Sequence, residues 1–262
     1  MLRKDKLKGV ARSTADPAEI ARFQKLAAEW WKPDGAFKVV HAFNAARVAH
    51  LASRLPALMG RDASRVEPLA GLRILDVGCG GGLVSEPVSR LGGEVLAIDA
   101  AERNVLIAEQ HALETGARVR YLHALPEDLD IRKWGDEAGQ FDIVLSLEVV
   151  EHVADVSTFL EAVGRLVKPG GVLVIGTLNR TPVSFVKAIL GAEYIMRWLP
   201  RGTHDWRKFV TPGELDVHLS KLGFNVIETC GVELNPLRMT WHITRSTNAT
   251  YLQFHRRMLA TT

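Results

Sequence analysis

The sequence predicts an α/β fold built on a mainly parallel, doubly wound sheet, and three observations carry that reading. The run Ile74-Leu75-Asp76-Val77-Gly78-Cys79-Gly80-Gly81-Gly82 reads as a buried strand feeding a glycine loop. That is the form of the first strand-to-helix turn in such sheets, where residues without side chains admit positive φ and let a ligand approach the backbone. Glu94-Val95-Leu96-Ala97-Ile98-Asp99 reads as a second buried strand that ends in a carboxylate. Further strand patterns at 118–122, 141–147 and 171–178 alternate with helical ones, as expected for parallel strands joined by helical crossovers.

The elements follow in order. Arg3, Lys4, Lys6 and Lys8 read as a solvated tail. Asp16, Pro17 and Glu19 mark a helix start, with Asp16 as N-cap, proline at the first position and an acid at the third. That helix is expected to run to Trp30-Trp31, followed by a turn at Lys32-Pro33-Asp34-Gly35, a second helix over 43–58 and an irregular stretch over 60–67. The α/β core begins near Leu72, a helix is expected over 156–167, and Lys168-Pro169-Gly170-Gly171 reads as a sharp turn. The stretch 181–201 interrupts the rhythm. Phe185, Val186, Ile189, Leu190, Tyr194, Ile195, Trp198 and Leu199 recur at spacings of three and four among Arg180, Lys187, Arg197 and Arg201. This predicts an amphipathic helix, either a lid on the core or a face for an anionic membrane surface. The expected organisation is one domain over 1–262, with an N-terminal helical extension (1–70), a cofactor-binding core (71–180), the amphipathic insertion (181–205) and a C-terminal part of the core (206–262).

Composition bounds the function. A chain of 262 residues, 47% hydrophobic, buries one large core. Its formal charge of +3 comes without a long basic run or an aromatic-interleaved basic patch, so no nucleic-acid partner is expected. The sequence has no apolar run long enough to span a bilayer and no apolar segment after the basic start, so an intracellular protein is expected. Cys79 and Cys230 make neither a disulfide framework nor a zinc cluster, and both read as reduced thiols.

The glycine spacing selects the cofactor class. A dinucleotide loop requires G-x-G-x-x-G or A, and here Leu83 stands where the third small residue belongs. The loop therefore suits a nucleoside cofactor without a pyrophosphate, although such loops also occur as plain tight turns. Asp99 can reach two ribose hydroxyls from the adjacent strand end, or cap the helix that starts near Ala101. The strand 141–147 then delivers Glu148-x-x-Glu151-His152 to the sheet's carboxyl edge. On a helix these three share a face and make a plausible divalent-metal set, with Mg²⁺ or Zn²⁺ in view. The plainer alternative is two acids complementing a helix dipole and a packed histidine.

On these motifs the chain resembles the class I S-adenosyl-L-methionine methyltransferases, and among them the ubiquinone-biosynthesis O-methyltransferases. The resemblance spans nearly the whole chain. It rests on Phe23 with Trp30-Trp31, Gly35-x-Phe37-Lys38 with His41, Asn44 and Arg47, the glycine loop, Glu148-x-x-Glu151-His152-Val153 and Lys168-Pro169-Gly170-Gly171. It continues through Thr177-Leu178-Asn179-Arg180, Gly191-Ala192-Glu193-Tyr194-Ile195 and Gly202-Thr203-His204-Asp205. Ala42-Phe43 departs from the family pattern of a basic residue followed by an aliphatic one.

The resemblance implies a Rossmann-like sheet and methylation of polyprenylated catechols and demethylubiquinol. It implies that Arg47 and the backbone around Gly78, Cys79 and Gly80 hold the cofactor, with Asp99 on the ribose and Leu147 beside it. It implies a divalent cation at Glu148, Glu151 and His152, a place on the inner face of a bacterial membrane, and contact with other ubiquinone-biosynthesis proteins. The phenol must lose its proton, for which His152 or His204 can serve as base, with Asp205 beside His204; a metal bound to the catechol oxygens is the other route. Two alternatives stay open: another small-molecule methyltransferase, and a non-catalytic cofactor-binding protein at a membrane.

Overall fold

A computed structural model describes residues 14–32, 34–35, 37–129, 140–187, 205–235 and 237–259. Eight strands form one sheet in the order β3-β2-β1-β4-β5-β8-β6-β7. They are β1 (Arg73–Val77), β2 (Glu94–Asp99), β3 (Val119–His123), β4 (Phe141–Leu147), β5 (Val167–Leu178), β6 (Phe224–Asn235), β7 (Thr240–Thr244) and β8 (Thr250–Arg257). The first five pair in parallel. β8 then lies antiparallel between β5 and β6, and β7 is antiparallel at the edge. β1, flanked by β2 and β4, is the switch point beyond which ligands sit in such sheets.

The helices are α1 (Pro17–Leu26), α2 (Lys38–Leu58), α3 (Ser85–Ser89), α4 (Glu102–Thr115), α5 (Val156–Arg165) and α6 (Pro212–Lys221). Successive strand residues point to opposite faces, so each strand feeds two cores. Leu75, Val77, Ile98 and Val144 pack with Phe159, Leu160 and Val163 of α5 and Leu215 and Leu219 of α6. Ile74, Val95, Ile143 and Leu145 pack with Leu51 and Leu55 of α2 and Val84 and Val88 at α3. Burial on both faces explains why β1, β2 and β4 read as continuous apolar runs rather than alternating ones.

Asp16 caps α1, its carboxylate accepting from the Ala18 amide at 2.9 Å. α1 gives way at Ala27–Glu29 to a 3₁₀ turn that leads into the tryptophan pair. α2 starts at Lys38, five residues before the expected 43. Its first turn holds β-branched Val39 and Val40, weak helix formers, and both pack on the central cavity. The expected sharp turn at Lys168–Gly171 lies inside β5. The ladder pairs Phe141 with Val167 and resumes at Ile143 with Val172, so the four residues form an irregularity that β4 pairs on both sides, with Gly170 at φ 78°. The sequence reading placed no strands after 178. The described part of the expected amphipathic stretch begins with a one-turn helix at Pro182–Ser184, closed by a Thr181 and Ser184 capping box; 188–204 lie outside the described residues. Both cysteines are free and buried, and no helix among the described residues is long and apolar enough to cross a membrane.

Candidate active site

Register brings three strand ends together: Val77 pairs with Ile98 of β2 and with Ser146 of β4. The next residues, Gly78, Asp99 and Leu147, therefore meet at the switch point, and all three line one cavity. The Gly78 and Cys79 amides donate to the Ile98 carbonyl at 2.8 and 3.0 Å. Gly78 sits at φ 75°, and a Cβ there would stand 2.3 Å from Val149 Cγ2. No other residue type fits that point.

Asp99 fills the capping role that its position allows. It accepts from the Gly80 amide at 2.9 Å, the Ala101 amide at 2.7 Å and Asn104 Nδ2 at 3.2 Å, so it ties the loop to α4 while still lining the cavity. Burial pushes its carboxyl upward, opposed by these donors. Asp76 below the loop accepts from Ser85 Oγ at 2.6 Å. Burial raises its pKa to about 6; the Ser85 hydroxyl opposes the rise and the Asp99 charge adds to it. Burial also drives the Cys79 thiol well above its ordinary value, which leaves it protonated and unreactive.

The N-terminal segment closes the loop from outside. Trp30 Nε1 donates to Asn104 Oδ1 at 2.9 Å, and Trp31 Nε1 donates to the Gly81 carbonyl at 2.8 Å. Trp30 stacks on Phe37 with ring centroids 3.9 Å apart, and Cβ atoms at Gly80 and Gly81 would each lie 2.6 Å from its ring. The loop glycines thus serve the tryptophan lid as well as a ligand. Asn104, which also lines the cavity, carried no motif in the sequence, and Glu19, another lining residue, was read only as part of a helix start; the tryptophans entered only through the family resemblance.

The opposite wall departs from the expected geometry. Glu148 adopts φ 58°, its amide donating to the Gly176 carbonyl at 2.8 Å, and only Val150–His152 form a 3₁₀ turn. Glu148 therefore leaves the helical path, and the three expected metal ligands part company. Glu148 meets Arg47 Nη1 at 2.7 Å. Glu151 turns inward to accept from Thr177 Oγ1 at 2.8 Å. His152 places Nδ1 3.1 Å from Glu19 Oε2 on α1. Among the described residues Glu148, Glu151 and His152 do not bring one donor each within 4.8 Å of one another. The shared helical face is corrected, and the donor set as placed does not fit a cation. Burial, with the neighbouring Glu148 charge, raises the Glu151 pKa to about 8.

Arg47 is not a surface residue. It is 3% exposed, bonds Asn44 through Nε at 3.1 Å, lies 4.1 Å over the Phe43 ring and lines the cavity. Asp205 caps the turn Trp206–Lys208, accepts from Arg207 at 3.0 Å and does not line the cavity; His204 lies outside the described residues.

The cavity encloses about 1100 Å³. Gly78, Asp99 and Asn104 line it at the switch point, with Arg47 and His152, and its β6–β7 end is lined mainly by the apolar Val186, Val232, Leu234 and Trp241, with the paired Lys187 and Glu233 beside them. Small-ligand pockets run to roughly 300–1,000 Å³, so this cavity stands at the upper end of that range.

A family model described as a methyltransferase domain matches residues 45–229. The solved structure of magnesium protoporphyrin IX methyltransferase from Synechocystis with bound SAH superposes with a TM-score of 0.63 at 18% identity, covering 90% of this chain and 94% of that one. A possible histamine N-methyltransferase from Thermotoga maritima gives 0.62 at 15% identity, over 91% and 99%. Sheet order, the glycine loop and the acid at the end of the second strand, together with these matches, define an S-adenosylmethionine-dependent methyltransferase. Curated relatives narrow the class. A ubiquinone biosynthesis O-methyltransferase of Azorhizobium caulinodans is 47% identical over 92% of this chain and 93% of its own length. Those of Cereibacter sphaeroides and a Ruegeria species are each 49% identical, over 89% and 88% of this chain and 92% of their own lengths. The chain belongs to the ubiquinone biosynthesis O-methyltransferase family.

Proposed function

We propose that the chain transfers the methyl group of S-adenosylmethionine to a phenolic oxygen of a polyprenylated catechol or quinol, working at a membrane surface. The observation that carries this reading is the single cavity joining the ribose acid and glycine loop to an apolar end at Val186, Val232, Leu234 and Trp241. A hydrophilic cofactor and a lipid-tailed acceptor need those two environments side by side.

Asp99 takes the ribose hydroxyls. The Arg47 and Glu148 pair faces the methionine end, where the guanidinium donates two parallel hydrogen bonds to a carboxylate and Glu148 takes the ammonium. The tryptophan lid excludes water from the sulfonium. A phenol near the tyrosine pKa of about 10 is mostly protonated at neutral pH, so a base must receive its proton as the oxygen attacks the methyl carbon. His152 is that base: it lines the cavity, and Glu19 stands beside Nδ1 to stabilise the imidazolium that forms. The phenolic proton passes to the imidazole, the O–CH₃ bond forms as the S–CH₃ bond breaks, and the sulfur keeps the electron pair as a neutral thioether. No step runs through a metal. Val186 lines the cavity, and with its neighbours Val183 and Phe185, 55%, 39% and 41% exposed, it suits the approach of a prenyl tail from a bilayer.

The test offers the purified chain labelled S-adenosylmethionine with a singly prenylated catechol and with plain catechol. Methylation of the prenylated acceptor with a kcat/KM at least tenfold higher is expected. His152→Ala should lower kcat by roughly 10²–10⁴ while leaving S-adenosylhomocysteine affinity intact. Equal use of both acceptors would overturn the substrate reading, and an unchanged kcat in His152→Ala the assignment of the base.

A further inference from the structure

Next to the cavity wall, one helical turn along α2 from Arg47, three unlike donors converge where the reaction has no use for them. His50 Nε2 lies 3.4 Å from Cys230 Sγ and 3.2 Å from Glu228 Oε1. All three donor atoms fall within 4.8 Å of one another, the one such group among the described residues. Local structure explains the convergence. Glu228 and Cys230 are two apart on β6 and share the face that looks at α2, and a register shift between Val226 and Glu228 sets their height.

We propose that His50, Glu228 and Cys230 form a zinc-binding site. A tetrahedral Zn²⁺ with Zn–S about 2.3 Å and Zn–N and Zn–O about 2.0 Å places nitrogen about 3.5 Å from sulfur and about 3.3 Å from oxygen. The two measured edges, 3.4 and 3.2 Å, match that frame. One imidazole, one thiol and one carboxylate suit Zn²⁺ and not Mg²⁺, which takes oxygen ligands. The outer shell is also in place: Arg54 Nε holds Glu228 Oε2 at 2.8 Å, leaving Oε1 for the ion, and such outer partners fix ligand direction. Cys230 is buried, while His50 and Glu228 keep 13% and 23% of their side-chain surface exposed, so an ion enters from the solvent side and water fills the fourth position.

Binding replaces the Sγ–H bond by Sγ–Zn and releases that proton to solvent. The ion then ties α2 to β6. Arg47 stands three residues before His50, and Val232 two after Cys230; both line the cavity. The site is therefore a structural clamp on the wall that holds cofactor and acceptor, and it is independent of the substrate reading above.

The experiment titrates the chelator-treated full chain with Co²⁺, the spectroscopic stand-in for zinc, and then displaces it with Zn²⁺. One equivalent is expected, with intense tetrahedral d–d bands, a sulfur-to-cobalt charge-transfer band and a Tm that rises with free metal. The charge-transfer band should vanish in Cys230→Ser and persist in Cys79→Ser. His50→Gln should weaken binding by more than 100-fold, and Arg54→Ala by about tenfold. His50→Gln decides the matter if Cys230→Ser fails to fold. Absence of stoichiometric binding, or Co²⁺ affinity unchanged in His50→Gln, would overturn the site.

Discussion

The two walls of the cavity are built differently. The glycine-loop wall is assembled from residues within some two dozen positions of one another: Gly78, Gly80 and Asp99 meet because β1 and β2 are adjacent parallel strands with Val77 opposite Ile98. The facing wall is assembled across the whole chain. Arg47 reaches Glu148, Glu19 reaches His152, and Thr14 Oγ1 donates to Glu127 Oε1 at 2.9 Å. The first wall is a fixed consequence of a strand-turn-helix unit. The second exists only once the N-terminal segment has docked, so its groups carry binding and fold stability together.

That contrast makes the walls separable by mutation, and the largest effect on cofactor affinity belongs to the local wall. Asp99→Ala removes the ribose acceptor and leaves the Gly80 and Ala101 amides without their partner. Hydrogen bonds to a charged group contribute about 1.5–3 kcal/mol, so S-adenosylhomocysteine should bind roughly 100-fold more weakly by calorimetry, with a modest change in Tm. On the other wall, Glu148→Gln leaves the Arg47 guanidinium, 3% exposed, without its anion. Stranding a buried charge costs about 3–5 kcal/mol; with Glu148 29% exposed the lower end applies, read as a shift in the urea midpoint. Adding Arg47→Met should restore part of that loss. Equal damage to stability from Asp99→Ala and Glu148→Gln would erase the distinction between the walls.

The lid sharpens the comparison further. Trp30→Ala deletes the ring over the glycine loop and its bond to Asn104, and the KM for S-adenosylmethionine should rise about tenfold with kcat changed less. A kcat loss without a KM change would mean that the tryptophan shapes the acceptor side instead.

This division also marks what was legible in the sequence. Strand β4 matched its expected bounds, β2 did too, and Gly78, Gly80 and Asp99, expected at one site from spacing, came to line one cavity together with Leu147, expected there from the family resemblance, because contiguous residues encode a strand, a loop and the next strand. The helical face expected for Glu148, Glu151 and His152 does not form because Glu148 adopts φ 58°, a conformation that no motif announces. Burial of Arg47 against Glu148, and of His152 against Glu19, depends on contacts more than 100 positions apart and left no local signal. The antiparallel β6, β7 and β8 went unseen for a related reason. β6 mixes buried and exposed positions without clean alternation, since part of it lines the cavity and part faces solvent.

Glu151 lets pH test the distant wall. Its folded pKa of about 8 stands above the ordinary 4.5, so the native state favours the protonated carboxyl. The stability this contributes is fully present below about pH 4.5 and is lost as pH rises through 8. Glu151→Gln imitates the protonated form at every pH. Its stability relative to the parent should therefore climb between pH 5 and 8, by at most about 1.4 kcal/mol per pH unit, in paired urea denaturations. A flat difference across that window would place the titration elsewhere.

The smallest effect isolates what local signals contribute to the docked segment. Asp16→Ala removes the α1 cap and the contact with Lys208 Nζ at 3.3 Å; the cap is worth about 1 kcal/mol and the exposed ion pair well under that. Tm should fall by a few degrees, while the KM for S-adenosylmethionine stays put, because α1 is held over the site by Glu19 and the tryptophan pair rather than by its own first turn. A KM that rises as far as in Trp30→Ala would show the opposite. The lid would then be only as secure as the helix that carries it, and the far wall would rest on a local signal after all.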